Sequence, residues 1–159
     1  MSRLGSSQGD RPGGREPRTV ALIPAAGRGL RMGGPVPKQF LSLGGRPILI
    51  QSLRMLQTSP VIHEIILAVP QTELQYCLDH IVAPGEFGKV TKVVPGGAQR
   101  QDSVRHALAE VSEDTEIVLV HDAVRPFLTL EMIRNVVQAA VEHGAAIVAL
   151  PVRDTVKYV

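Results

Sequence analysis

Short apolar runs alternate with segments of helical periodicity along most of the chain. The runs predict strands over residues 19–25, 62–69, 89–94, 116–120 and 145–150. The segments between them, with apolar residues at helical spacing, predict helices over 47–57, 72–82, 99–111 and 129–143. This alternation is typical of βαβ units, in which right-handed crossovers join parallel strands. We therefore predict an α/β domain with a mostly parallel sheet flanked by helices.

The two ends of the chain differ from this central part. Residues 1–18 are rich in Gly, Ser, Pro and Arg and almost lack apolar side chains, a composition typical of a disordered leader. Residues 19–150 are predicted to form the α/β domain. Residues 151–159 begin another extended element and stop at Val159, which suggests a truncated product or a fragment.

Composition narrows the class of protein. Aromatic residues make up only 3% of the chain, so the core must consist of Val, Ile, Leu and Ala, as in a sheet covered on both faces. The net charge of +2 is too small to indicate a nucleic-acid partner, and such an interpretation would depend on the leader alone. No apolar run reaches membrane-spanning length, and Cys77 is the only cysteine. We expect a soluble, cytoplasmic protein that binds neither nucleic acid nor membrane.

The first candidate site is the loop after the first predicted strand, residues 24–38. Its small residues Ala25, Ala26 and Gly27 let backbone N–H groups approach an anionic ligand closely. Three cations follow in the same loop: Arg28, Arg31 and Lys38. The loop matches neither the dinucleotide-binding nor the Walker pattern. It is therefore either a phosphate-binding loop or a glycine-rich surface loop with solvated cations.

A second candidate site follows the third predicted strand, at residues 96–103. A Gly pair there leads into a helix, whose free N–H groups suit an anion or the edge of a base. Gly97 and Ser103 belong to this segment. The alternative is an ordinary turn with a helix cap supplied by Asp102 or Ser103.

A third candidate site follows the fourth predicted strand, at residues 121–125. Asp122 lies just past a buried strand, where carboxylates hold Mg²⁺ in nucleotide enzymes. Arg125, three residues later, could bind a substrate phosphate. The alternative is a local ion pair between Asp122 and Arg125, with His121 as a spacer.

Taken in order, AAGRGLRMGGPVPKQF, GGAQRQDSV, HDAVRPF and PVRDTVK resemble the 2-C-methyl-D-erythritol 4-phosphate cytidylyltransferases of non-mevalonate isoprenoid synthesis. The resemblance runs from about residue 19 to residue 159. It implies a Rossmann-like nucleotidyltransferase fold with the start of a dimerisation arm at residues 151–159. It also implies a Mg²⁺-dependent reaction that joins CTP and methylerythritol phosphate, a polyol phosphate, into CDP-methylerythritol and pyrophosphate. The full-length form would be a homodimer.

The resemblance also implies roles for individual residues. Arg31 and Lys38 fall on catalytic positions that stabilise the transition state. Five residues fall on nucleotide-binding positions: Ala25, Ala26, Gly27, Gly97 and Ser103. Asp122, Arg125 and Thr155 fall on substrate-binding positions, and Asp122 also falls on the metal position.

Some features depart from the family pattern and leave alternatives open. Leu30 stands where relatives often have another basic residue, and family members continue well past Val159. One alternative is a ribitol-5-phosphate cytidylyltransferase, a sister family with the same loop. Another is an inactive, truncated nucleotide-binding module. The segments QRQDSV and PVRDTVK favour the isoprenoid enzyme over its sister family.

Overall fold

A parallel sheet forms the centre of the computed structural model, which describes residues 15–27, 36–84 and 86–151. Six strands lie in these residues: β1 (Thr19–Pro24), β2 (Ser42–Leu43), β3 (Arg46–Pro47), β4 (Glu64–Val69), β5 (Val90–Pro95) and β6 (Ile117–Val120). Four of them form one sheet in the order β5-β4-β1-β6, and every pairing in it is parallel. β2 and β3 form a separate antiparallel ribbon. The predicted fold class is confirmed.

The helices pack on both faces of this sheet. They are α1 (Ile48–Thr58), α2 (Leu74–Cys77), α3 (Arg100–Leu108) and α4 (Leu130–His143). Short 3₁₀ turns lie at Lys38–Phe40 and Gln71–Glu73, and a π-helical turn at Leu78–Val82 continues α2. None of the helices in the described part of the chain is long and apolar enough to span a bilayer.

The two-residue period of β1 divides the core into two layers. Ala21 and Ile23 are fully buried on one face, among the apolar side chains of α1 and Ile133 of α4. Val20 and Leu22 are fully buried on the other face, where Ala107 of α3 packs against them. Because β1 pairs with strands on both sides, it is inaccessible from every direction. This explains why its sequence is a continuous apolar run rather than an alternating one.

The ends of α4 follow the sequence signals for helix caps. The Thr129 side-chain oxygen accepts a hydrogen bond from the Met132 N–H at 3.1 Å. At the other end Gly144 adopts a left-handed conformation (φ 83°), which a residue without a Cβ reaches at little cost. Thr129 is therefore the N-cap of α4, and Gly144 ends the helix predicted over 129–143.

The helix predicted over 72–82 is present but irregular. A 3₁₀ turn, one α turn and a π turn follow one another between Gln71 and Val82. The periodicity placed apolar residues on one face. It could not distinguish among these three kinds of turn, which differ in the residues that each backbone hydrogen bond joins. The helix predicted from residue 47 begins one residue later, so that Pro47 is its N-cap.

The strand predicted over residues 145–150 is not a strand in the structure. These residues join no sheet, and Ile147 and Leu150 are 88% and 89% exposed. Ala146, Ile147 and Val148 instead line a groove of about 300 Å³ together with β6 and α4. β6 is the edge strand of the sheet, but residues 145–150 lie beside it without pairing with it, and an apolar run alone does not determine whether such pairing forms. The prediction was therefore wrong for a tertiary reason.

Arg18, the last residue of the predicted leader, is attached to the sheet. Its guanidinium donates to Glu64 Oε2 at 3.1 Å, and its carbonyl accepts hydrogen bonds from the N–H groups of Glu116 and Ile117. The packed structure therefore includes Arg18. Most of the predicted leader (residues 1–14) and nearly all of the predicted arm (152–159) lie outside the described residues.

Cys77 should be chemically inert in the folded protein. It is fully buried, and burial, together with the nearby Glu73 charge, raises the pKa of its thiol to about 12. Because the thiolate is the reactive form, we expect no reaction of the native protein with Ellman's reagent near pH 8. The urea-unfolded protein should release one equivalent of chromophore. Rapid labelling of the native protein would contradict this prediction.

Candidate functional site

One cavity, of about 430 Å³, lies at the carboxyl edge of the parallel sheet. The loops after β1, β5 and β6 surround it. Its lining includes Pro24, Ala25, Ala26, Gly27, Lys38, Gln39, Gly97, Ala98, Gln99, Arg100, Ser103, Asp122, Ala123, Val124 and Arg125. This is the edge at which parallel α/β sheets bind their ligands.

The loop after β1 supplies backbone donors and one cation. Ala25 continues the sheet hydrogen bonding, because its N–H donates to the Ala68 carbonyl at 2.7 Å. Within the described residues, the N–H groups of Ala26 and Gly27 have no hydrogen-bond partner. Lys38 lies close by, since its Cε is 3.9 Å from the place that a Cβ on Gly27 would occupy. Two backbone donors and an ammonium group therefore lie in one small region.

The loop after β5 is packed closely against the end of β1. A Cβ on Gly96 would lie 2.2 Å from Ala26 Cβ and 2.8 Å from Ser103 Oγ, so only glycine fits there. The N–H of Gly97 donates to Ser103 Oγ at 3.1 Å, and that hydroxyl in turn donates to the Gln99 carbonyl at 3.3 Å. Ser103 therefore holds the shape of this loop.

The start of α3 has the cap chemistry that the sequence offered as an alternative. The Asp102 carboxylate accepts a hydrogen bond from the Gln99 N–H at 3.1 Å. Gln99 is the N-cap, so this contact reaches back from the first helical turn to the cap residue. The cap and the cavity share residues, since Gln99 also lines the cavity. A capped helix and a ligand-facing loop are therefore compatible here.

The loop after β6 contributes a carboxylate that lies between two guanidinium groups. Asp122 Oδ2 forms an ion pair with Arg125 Nε at 3.1 Å, which is the local ion pair considered from the sequence. Asp122 Oδ1 accepts a hydrogen bond at 2.8 Å from Nε of Arg100, which is the first residue of α3. The second contact joins two of the three loops around the cavity.

Two polar side chains, the partly buried His121 and the fully buried Ser52, hold this loop in place. The His121 ring lies with Nε2 3.1 Å from the Arg125 carbonyl; because a carbonyl only accepts, Nε2 carries the proton. Burial lowers the pKa of His121, so the neutral ring is favoured. Ser52 of α1 is fully buried and donates to the carbonyls of Ala123 and Arg125 at 3.3 and 3.4 Å. These contacts explain the fixed position of Asp122 and Arg125.

All the predicted site residues that the structure describes line this one cavity: Ala25, Ala26, Gly27, Lys38, Gly97, Ser103, Asp122 and Arg125. Arg31 and Thr155 lie outside the described residues. The individual roles stay predictions. Sequence reasoning did not single out Arg100, although it stands inside the quoted segment GGAQRQDSV, and it gave Ser52 no role because nothing in the helical pattern of α1 marks it.

Comparison with known proteins decides the family. The family model described as IspD, 2-C-methyl-D-erythritol 4-phosphate cytidylyltransferase, matches residues 19–159. The chain belongs to this family. The match covers the whole of the sheet, the three loops and the cavity.

Individual members of the IspD family are similar over most of the chain. The cytidylyltransferases of Syntrophus aciditrophicus and Symbiobacterium thermophilum are 45% and 46% identical over 91% and 92% of it. The crystal structure of 4-diphosphocytidyl-2C-methyl-D-erythritol synthase from Anaerococcus prevotii superposes on 91% of the chain with a TM-score of 0.77 at 30% identity. The chain spans 62% and 60% of the two curated relatives and 61% of that crystallised chain.

The side chains around the cavity fit one mode of Mg²⁺ binding. Within the described residues, no three His, Cys, Asp or Glu side chains come together as a metal cluster. Asp122 is the carboxylate in the cavity lining. Mg²⁺ commonly binds through one or two carboxylates and completes its shell with substrate phosphates and water. The cavity therefore suits a cation held jointly by Asp122 and the phosphates of a ligand. It does not suit a cation held by protein ligands alone.

Replacement of Gly96 by Ala should damage the cavity through steric overlap. The new Cβ would overlap Ala26 and Ser103, and we expect a loss of about 1–3 kcal/mol in the free energy of unfolding. Urea titration would measure this loss. Gly88→Ala is the matched control, because a Cβ there meets nothing within 4 Å. Equal stability of the two variants would contradict the close approach.

Proposed function

We propose that this protein is a cytidylyltransferase. It joins CTP and 2-C-methyl-D-erythritol 4-phosphate and releases CDP-methylerythritol and pyrophosphate. The observation that carries the proposal is the convergence of three loops on one cavity, with donors, cations and a carboxylate arranged around it. Membership of the IspD family supports the identity of both substrates.

The proposed reaction needs charge stabilisation more than proton transfer. An oxygen of the methylerythritol phosphate attacks the α-phosphorus of CTP, the new P–O bond forms, and the bond to pyrophosphate breaks with its electrons on the departing oxygen. The nucleophile is already an anion, so no general base is required. Rate enhancement then depends on positioning and on cations near the oxygens that gain charge.

Different cavity residues suit different parts of the two substrates. The N–H groups of Ala26 and Gly27 and the ammonium group of Lys38 suit the triphosphate. The loop of Gly97 and Ser103 suits the cytosine base, which offers edges for backbone hydrogen bonds. Arg125 suits the phosphate of the second substrate. Mg²⁺, when bound, would be held by Asp122 and phosphate oxygens and would supply further positive charge.

The remaining parts of the proposal depend on the family resemblance. We propose that Arg31 acts with Lys38 on the transition state and that Thr155 contacts the polyol phosphate. We also propose that the full-length protein is a cytoplasmic homodimer that uses an arm beginning at residues 151–159.

Substrate choice tests the function directly. The full-length protein with CTP, Mg²⁺ and methylerythritol phosphate should release pyrophosphate, and a coupled phosphate assay would follow the rate. Ribitol 5-phosphate should give little or no release under the same conditions. Release with ribitol 5-phosphate alone would contradict the proposal in favour of the sister activity, and no release with either would contradict cytidylyl transfer.

Lys38→Ala should lower kcat by about 10²–10³, the usual effect of removing one group that stabilises transition-state charge. Lys92→Ala is the matched control. This substitution also removes an ammonium group, but Lys92 pairs with Glu110 and does not line the cavity. Thermal melting should show that both variants fold. An unchanged kcat in Lys38→Ala would contradict its assigned role.

A further inference from the structure

Asp122 has both carboxylate oxygens engaged. Oδ1 accepts a hydrogen bond from Arg100 Nε at 2.8 Å, and Oδ2 forms an ion pair with Arg125 Nε at 3.1 Å. All three residues line the cavity at the carboxyl edge of the sheet. A cation that uses Asp122 as a ligand must therefore bind an oxygen that already pairs with an arginine.

Burial differs between the carboxylate and its partners. The Asp122 side chain is 26% exposed, whereas the side chains of Arg100 and Arg125 are 61% and 75% exposed. Contacts of such exposed cations are weak, because water and salt screen them. The carboxylate is therefore the fixed member of the cluster, and either guanidinium can leave it at small cost.

The two arginines differ in how they are held. Arg125 belongs to the same turn as Asp122: its N–H donates to the Asp122 carbonyl at 3.1 Å, and its own carbonyl is held by His121 and Ser52. Arg100 comes from α3, 22 residues away in sequence, and its side chain reaches Asp122 across the cavity. Arg100 is therefore the partner that can move without disturbing the turn.

We propose that Arg100 is a positioning residue that competes with a divalent cation for Asp122. Before the nucleotide arrives, Arg100 neutralises the carboxylate and holds the loops after β5 and β6 together. When a cation arrives with the phosphates of the ligand, repulsion between like charges moves Arg100 from Asp122 towards phosphate oxygens, which accept the same guanidinium donors. This inference rests on the proposed function.

The magnesium requirement of CTP binding tests this competition. Binding of CTP alone, without the second substrate, can be followed by calorimetry at increasing Mg²⁺ in the full-length protein. In Arg100→Gln the carboxylate has lost its competitor, so half-maximal binding should need about two- to five-fold less Mg²⁺, the range expected from an exposed ion pair. Arg100→Lys, which keeps the charge without the planar donor group, should fall between the two proteins.

Arg105→Gln is the matched control. Arg105 lies on the same helix and pairs with Asp102 at 3.0 Å, but it does not line the cavity. Its removal should leave the magnesium requirement unchanged. A magnesium requirement in Arg100→Gln equal to or above that of the wild type, with CTP binding intact, would overturn this inference alone. Absence of CTP binding in the wild-type protein would overturn the proposed function and the inference together.

Discussion

The hydrogen bonding of β1 between two parallel neighbours is the constraint on which the site depends. Each of the three loops leaves the sheet through one more hydrogen bond to an adjacent strand. The Ala25 N–H donates to the Ala68 carbonyl, the Gly96 N–H to the Val69 carbonyl and the His121 N–H to the Leu22 carbonyl. Because these bonds lie at the same edge, segments far apart in sequence surround one cavity. The core beneath the cavity is apolar on both faces, so the edge itself is rigid.

Close approach of backbones determines the shape of the cavity wall. At Gly96 the absence of a Cβ lets the loop after β5 contact both Ala26 and Ser103. The Ser103 hydroxyl bonds within that loop: it accepts a hydrogen bond from the Gly97 N–H and donates one to the Gln99 carbonyl. A glycine and a buried hydroxyl thus determine the shape of this wall before any ligand binds. Such preorganisation lowers the cost of ligand binding.

Charge is arranged differently from shape. The arginines around Asp122 are exposed, and their contacts are weak and exchangeable. Lys38 lies next to Gly27, in the loop that carries the backbone donors of Ala26 and Gly27. Backbone donors beside exposed cations suit the proposed reaction, in which phosphate charge moves from one oxygen to another.

The sequence by itself determined the fold class, because apolar runs and helical periodicity report burial, and burial is what the sheet requires of its residues. It also determined where the three loops lie, since glycines and charged residues that follow a strand are unsuited to a buried core and mark its end. The irregular helix near Cys77 and the absence of a strand over 145–150 were not predicted, because an apolar pattern distinguishes neither 3₁₀, α and π turns from one another nor a segment that pairs with the edge strand β6 from one that only lies beside it. Only the tertiary structure decided that Arg100 pairs with Asp122 and that Ser52 supports the loop after β6. Those contacts join residues from different elements, and no spacing along the chain encodes the distance between them.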